Sequence, residues 1–205
     1  MELNPEKLSP AVMYQHLIRT ILPRPIAWVS TISPSGTTNL APFSFFTGVG
    51  SRPPSLAFCP SNRRDGSFKD TLANILATRQ FVVCVVPYAG VEAMNLSSAE
   101  VPPEDSEFLL ANVDADPSVT VRPPRVKHSP VAFECELLQH IALESGPGAA
   151  NLVLGRILHL HISESVLSSD GFADPQLLDL IGRMGGSTYC RTHDRFDLPR
   201  PEFPR

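Results

Sequence analysis

The chain has 205 residues, 42% hydrophobic and 19% charged, a length and balance that suit one soluble globular domain over residues 1–205. Its formal charge of -4, with the signs interspersed, excludes the basic field that nucleic acid requires of a partner. No stretch approaches the roughly 18 apolar residues of a membrane helix, and MELNPEKLSP lacks the basic start and apolar core of a signal peptide. The expectation is therefore a cytoplasmic protein with no membrane partner.

Residues 1–22 begin polar and give AVMYQHLIRTIL, a helical turn or an edge strand leading into the core. Pro25 to Ile32, rich in Ile, Trp, Val, Ser and Thr, predicts a strand; Ser33-Pro34-Ser35-Gly36 then turns it into a hairpin with Thr37 to Leu40. Phe43 to Val49 and Ser55 to Cys59 read as further strands separated by Pro53-Pro54. A helix follows, with Ser67-x-x-Asp70 as a capping box and Leu72, Ile75 and Leu76 at helical spacing. The run FVVCVV, Phe81 to Val86, is a strand buried on both faces.

Short helices are expected at Val91–Asn95 and Glu104–Ala111, the latter with Phe108 and Leu109 turned inward, around a polar loop from Leu96 to Asp105. Val119 to Pro124 reads as extended. Pro130 to Leu143 and Asn151 to Ile162 form a long antiparallel hairpin around Ser145-Gly146-Pro147-Gly148. Twenty-one prolines argue for many ordered loops. Six or seven strands with one good helix among them predict a mainly β protein, a β-barrel with helical excursions.

Four separated cysteines without a C-x-x-C pair read as buried or incidental thiols, and no metal site is expected. His159-x-His161, and likewise Glu134 and Glu136, read as polar strand faces. G-x-S-x-G, P-loop and strand-borne G-x-G-x-x-G motifs are lacking, so hydrolase, triphosphatase and Rossmann chemistry each miss their minimum signal.

The stretch Pro23 to Lys69 holds polar loops beside flat aromatic surface, which suits a ligand that is part ring and part phosphate. Ser61 to Thr71 brings two arginines, a lysine and hydroxyls to a helix start, where backbone N–H groups favour an anion. Read alone, the same stretch is also a solvated loop before a capped helix. Asn39-Leu40-Ala41-Pro42-Phe43-Ser44 offers an amide, N–H groups and a hydroxyl to a ring edge, or is a strand start shaped by proline. Ser30 and Thr31 reach the same ligand or simply end a strand, and Trp28 is a cofactor neighbour or core.

In order, PRPIAWVST, NLAPFSFF, DGSFKDTLANI, FVVCVV, AMN and GRMGGSTYCR resemble the flavin reductase-like family of FMN-binding split-barrel proteins, which includes flavoredoxins. The resemblance spans Leu17 to Pro201. It implies a split barrel that dimerises around noncovalent FMN, with FAD as the alternative flavin and NAD(P)H as electron donor. On matching positions it places Ser30, Thr31, Asn39, Leu40, Ala41, Pro42, Phe43 and Ser44 around the ring and ribityl chain. Ser61, Arg63, Lys69, Asp70 and Thr71 surround the phosphate, with Arg63 against Arg64 left open; Arg24, Trp28, Arg183 and Tyr189 join more loosely. No side chain is needed as a catalytic group, because a flavin carries its own reactivity. The implied activity is hydride transfer from NAD(P)H to flavin and onward to a separate acceptor, a monooxygenase or another redox protein. The alternative is a non-enzymatic flavin electron carrier.

Overall fold

A computed structural model describes residues 1–203. In chain order it contains α1 (Pro10–Thr20), β1 (Arg24–Pro25), β2 (Ala27–Ile32), β3 (Thr38–Phe43), β4 (Phe46–Ser51), β5 (Pro54–Phe58), α2 (Asp70–Thr78), β6 (Gln80–Cys84) and α3 (Val91–Leu96). These are followed by α4 (Glu107–Leu110), β7 (Ala115–Asp116), β8 (Arg125–Val126), β9 (Val131–Ala142), β10 (Asn151–Ile162), α5 (Pro175–Leu178), β11 (Ile181–Arg183) and β12 (Tyr189–Arg191). The main sheet has seven strands in the order β3-β2-β6-β9-β10-β5-β4, and every neighbouring pair is antiparallel. Its edge strands β3 and β4 are joined by only Ser44 and Phe45. Opposite edges tied by so short a link force the sheet to curl on itself, yet no ladder joins them. The result is a split barrel.

The curl divides the apolar side chains into two clusters. Inside lie Val29, Phe43, Phe58, Phe81, Val83, Cys135 and Val153, into which α2 inserts Leu72 and Ile75. On the outer face, Trp28, Leu40, Val82, Cys84 and Ala132 pack with Met94 of α3, Phe108 of α4 and Ile181. Phe81 and Val83 thus point inward while Val82 and Cys84 point outward, and all four are fully buried. That is why FVVCVV shows no polar alternation. Burial also pushes the thiols up, Cys84 to about 12, as for inert core cysteines.

Several local expectations are corrected. Of the two readings of the N-terminal segment the helical one holds, extended to a full helix capped by the Ser9 hydroxyl, which accepts from the Val12 N–H. The strand expected from Phe43 breaks at Ser44 and Phe45, where the barrel seam passes. No capping box forms at α2: Lys69 is its N-cap without a side-chain bond, and Ser67 bonds instead to Asp65 through both its N–H and its hydroxyl. In α4 Phe108 is buried but Leu109 is 84% exposed, since a four-residue helix turns only one face to the sheet. Residues 119–123 are bends rather than extended chain.

Glu134 is likewise not on a solvated face. It is fully buried and accepts from the N–H groups of Val119 and Thr120, the Thr120 hydroxyl and His161 Nε2. Burial alone would raise its pKa, but these donors outweigh it and hold the carboxyl at about 2. The cluster fastens the 119–124 segment over the outer face.

Candidate functional site

β3 is an edge strand, and along its free side run two adjoining clefts. The first gathers Asn39 and Ala41 of β3, Arg63, Lys69, Asp70 and Thr71 at the start of α2, Ser97 to Val101 after α3, and Glu107 of α4. The second continues along the chain from Ala41 to Pro42 and Ser44, where Tyr14 and Ile18 of α1, Arg24, Asn95, Arg183 and Tyr189 close round them. Ser98 lines both.

In the first cleft the sequence creates an uncapped helix start. Because Ser67 is engaged by Asp65, the first-turn N–H groups of α2 lack a side-chain cap, leaving partial positive charge open to an anion. Lys69 sits at this terminus and makes no ion pair among the described residues. Arg63 points the same way, but Asp70 takes its Nη2 and the Phe68 carbonyl its Nη1. Asn39 Nδ2 donates to Thr71 Oγ1 at 3.0 Å, so the threonine proton stays available to a ligand. Glu107, 5% exposed, accepts from the Leu40 N–H; burial raises its pKa, and that bond only partly offsets the rise.

Among the described residues the second cleft is lined by two arginines and by no Asp or Glu. Arg24 is 4% exposed. Its Nη1 donates to the Ile18 and Ile21 carbonyls, Nη2 to Met184 O and Nε to Ser44 Oγ. Burial lowers its pKa and nearby Arg183 pushes the same way, while Tyr14 opposes them. Arg183 lies over the Tyr189 ring, its guanidinium carbon 4.4 Å from the ring centre, and donates to Tyr189 Oη and to Gly186 O.

Of the positions singled out in the sequence, Asn39, Ala41, Arg63, Lys69, Asp70 and Thr71 meet in the first cleft, and Arg24, Pro42, Ser44, Arg183 and Tyr189 in the second. Arg63 rather than Arg64 faces the first cleft. The others lie apart. Ser30 and Thr31 are mid-sheet, because β2 runs on to Ile32 and pairs with both β3 and β6 at Ser30. Thr31 Oγ1 accepts from Asn74, and Ser30 Oγ is buried without a partner. Leu40 and Phe43 turn their side chains into the core, and Ser61 bridges to Ala150 at an exposed position. Trp28 is 2% exposed and braces the first cleft from behind by donating Nε1 to Ser97 Oγ at 2.8 Å.

Sequence reasoning missed Tyr14, Asn95, Ser97, Ser98 and Glu107. The Ser97-Ser98 pair just past α3 is a weak signal at most, since hydroxyls are common in loops. Among the described residues no three His, Cys, Asp or Glu side chains gather to hold a metal, and no helix is long and apolar enough to cross a membrane.

A curled antiparallel sheet whose edge strand is flanked by the uncapped start of α2 and two adjoining clefts defines a split-barrel protein of the mainly β class. Residues 18–187 match the family described as flavin reductase like domain, and the chain belongs to that family. It is 37% identical over 203 residues to an uncharacterized protein of Halalkalibacterium halodurans, covering 98% of this chain and 97% of the other. Among solved structures, nitrilotriacetate monooxygenase component B from Bacillus cereus superposes with a TM-score of 0.91 at 30% identity, over 97% of this chain and 98% of that one. The 2-nitrobenzoate 2-nitroreductase of Pseudomonas fluorescens superposes with a TM-score of 0.89 at 30% identity, over 100% of this chain and 98% of that one.

Proposed function

We propose that the protein is an oxidoreductase that binds FMN in this trough, accepts hydride from NADH or NADPH, and passes electrons to a separate acceptor. The observation that carries the reading is the uncapped start of α2 with unpaired Lys69 at its N-cap, opening onto the edge of β3 in a chain of the flavin reductase-like family. These groups fit a phosphate: three first-turn N–H groups and a point charge, with the Thr71 hydroxyl as a further donor. Arg63 steadies the loop through Asp70. Ala41 and the backbone of Pro42 and Ser44 then offer a strand edge to a ring, leaving the Ser44 hydroxyl to the second cleft, and Ser98 lines both clefts. When bound, a flavin supplies the hydride chemistry itself, so no side chain is asked to serve as acid or base. The B component of a monooxygenase among the similar proteins supports delivery of electrons to a partner enzyme. Leu158, Leu160 and Ile162, alternate residues of β10 that are 37–46% exposed, support a homodimer, and the reading places it in the cytoplasm.

The test is a visible spectrum of the purified protein followed by stopped-flow mixing with NADH and with NADPH. Absorbance near 450 nm, roughly where oxidised flavins absorb, is expected, and it bleaches with at least one nicotinamide. A yellow protein that neither nicotinamide bleaches would be an electron carrier; protein that stays colourless after incubation with FMN would end the flavin reading.

A further inference from the structure

We infer that the second cleft is a binding site for the carboxylate of a small aromatic acid, held beside the flavin. This rests on the proposed function only for the flavin's neighbourhood; the preference for an anion follows from the cleft's own groups.

The donors are counted as follows. A guanidinium has five N–H groups. Arg24 spends four of them, on Ile18 O, Ile21 O, Met184 O and Ser44 Oγ, leaving one on Nη2. Arg183 spends two, on Tyr189 Oη and Gly186 O, and keeps three. Ser44 Oγ and Tyr189 Oη each accept from an arginine, so each hydroxyl proton is turned outward and free to donate. Two cations and two polarised hydroxyls thus converge where no Asp or Glu lines the wall. Arg24 is buried with only neutral partners, so its charge is uncompensated inside the protein, and in such a setting an anion is attracted more strongly than at an open surface. Glu or Asp at any lining position would cancel this field.

The rest of the wall selects the anion's body. Ile18, Ile26, Pro42 and Met94 supply apolar surface, and Tyr14 and Tyr189 supply ring faces. Tyr14 is itself fixed edge-on against Phe45, with ring centres 6.4 Å apart. A flat ring fits between such walls, and a carboxylate matches the planar fork of arginine. Unlike the first cleft, this one has no helix N-terminus to offer a phosphate.

The experiment is calorimetric titration of the purified protein, as obtained and after saturation with FMN, with benzoate, its neutral isostere benzamide, and inorganic phosphate. Benzoate is expected to bind at least tenfold more tightly than benzamide or phosphate. Arg183→Gln should collapse the benzoate-to-benzamide ratio to about threefold or less, and Tyr189→Phe should lower it to a smaller extent. Equal binding of benzoate and benzamide, a ratio untouched by Arg183→Gln, or phosphate displacing benzoate would each overturn the inference. Charge-selective binding to a protein that takes up no FMN would refute the flavin reading and leave the carboxylate site standing. FMN binding without that selectivity would do the reverse.

Discussion

The two clefts share β3 and Ser98, yet they balance charge in opposite ways. Around α2, Arg63 and Lys69 stand among Asp70, Glu100 and Glu107, and Arg63 is already neutralised by Asp70. What remains for a ligand is one lysine and the helix N-terminus. Around Arg24, two guanidiniums meet carbonyls and hydroxyls but no carboxylate. A crowded mixed-sign site derives its preference from geometry, since each added cation is offset by a neighbouring acid. A single-sign site derives it from net charge. On the proposed reading, the first cleft would hold a phosphate by geometry and the second would select an anion by charge, along the same strand.

The largest effect expected on this contrast is at Lys69, which makes no ion pair among the described residues. Lys69→Ala removes a charge-assisted hydrogen bond, about 1.5 to 3 kcal/mol, so FMN affinity in a fluorescence titration should fall about 10- to 150-fold while riboflavin is unchanged. Equal losses for both ligands would mean that Lys69 does not read the phosphate. Next comes the scaffold common to both clefts. A Cβ on Gly155 would lie 2.3 Å from Phe81 Cζ, and Phe81 is fully buried in the interior cluster. Gly155→Ala should therefore cost about 1 to 3 kcal/mol in denaturant unfolding, leaving FMN and benzoate affinities under folding conditions alike unaffected; loss at one cleft alone would show that they do not share this support.

Smaller effects sharpen the electrostatic difference. Because Asp70 already compensates Arg63, Arg63→Ala should weaken FMN by only about 0.2 to 1 kcal/mol. A loss matching that of Lys69→Ala would make the two cations equivalent and break the account of the first cleft. Smallest is Glu107→Gln, which keeps an acceptor for the Leu40 N–H while deleting a negative charge near the bound anion. FMN should bind about threefold more tightly at pH 8. Burial raises the Glu107 pKa, so the wild-type carboxyl becomes neutral at a higher pH than an ordinary carboxylate. The advantage of the variant should then fade on acidification before an ordinary carboxylate would protonate, and an advantage unchanged down to the ordinary carboxylate range would contradict it. Benzoate in the second cleft, which has no carboxylate, should show no such difference.

Strands, the Ser33–Gly36 hairpin and the doubly buried run at Phe81 were legible in the sequence, because each leaves a local record in periodicity or turn chemistry. The first cleft was legible in part: Lys69, Thr71 and Arg63 cluster within nine residues, and a cluster of donors near a helix start has a local meaning. Its capping box was misread because Asp65, only two residues before Ser67, competes successfully for that side chain. Ser30 and Thr31 lie inside β2, which runs on to Ile32, a strand length that polar residues near its end do not reveal.

What the sequence determined by itself was therefore the mainly β class, the helix α2 with its cluster of donors at the start, and, through the order of its motifs, the family. Only the tertiary structure decided the second cleft. Arg24 reaches the carbonyl of Met184, 160 residues away, and Tyr14, Asn95 and Arg183 come from three separate excursions that meet where the barrel edges fail to pair. Burial pattern is a property of each residue and its near neighbours; whether a buried charge has a counterion depends on every chain segment around it. The absence of a carboxylate beside Arg24 exists only once the chain is folded.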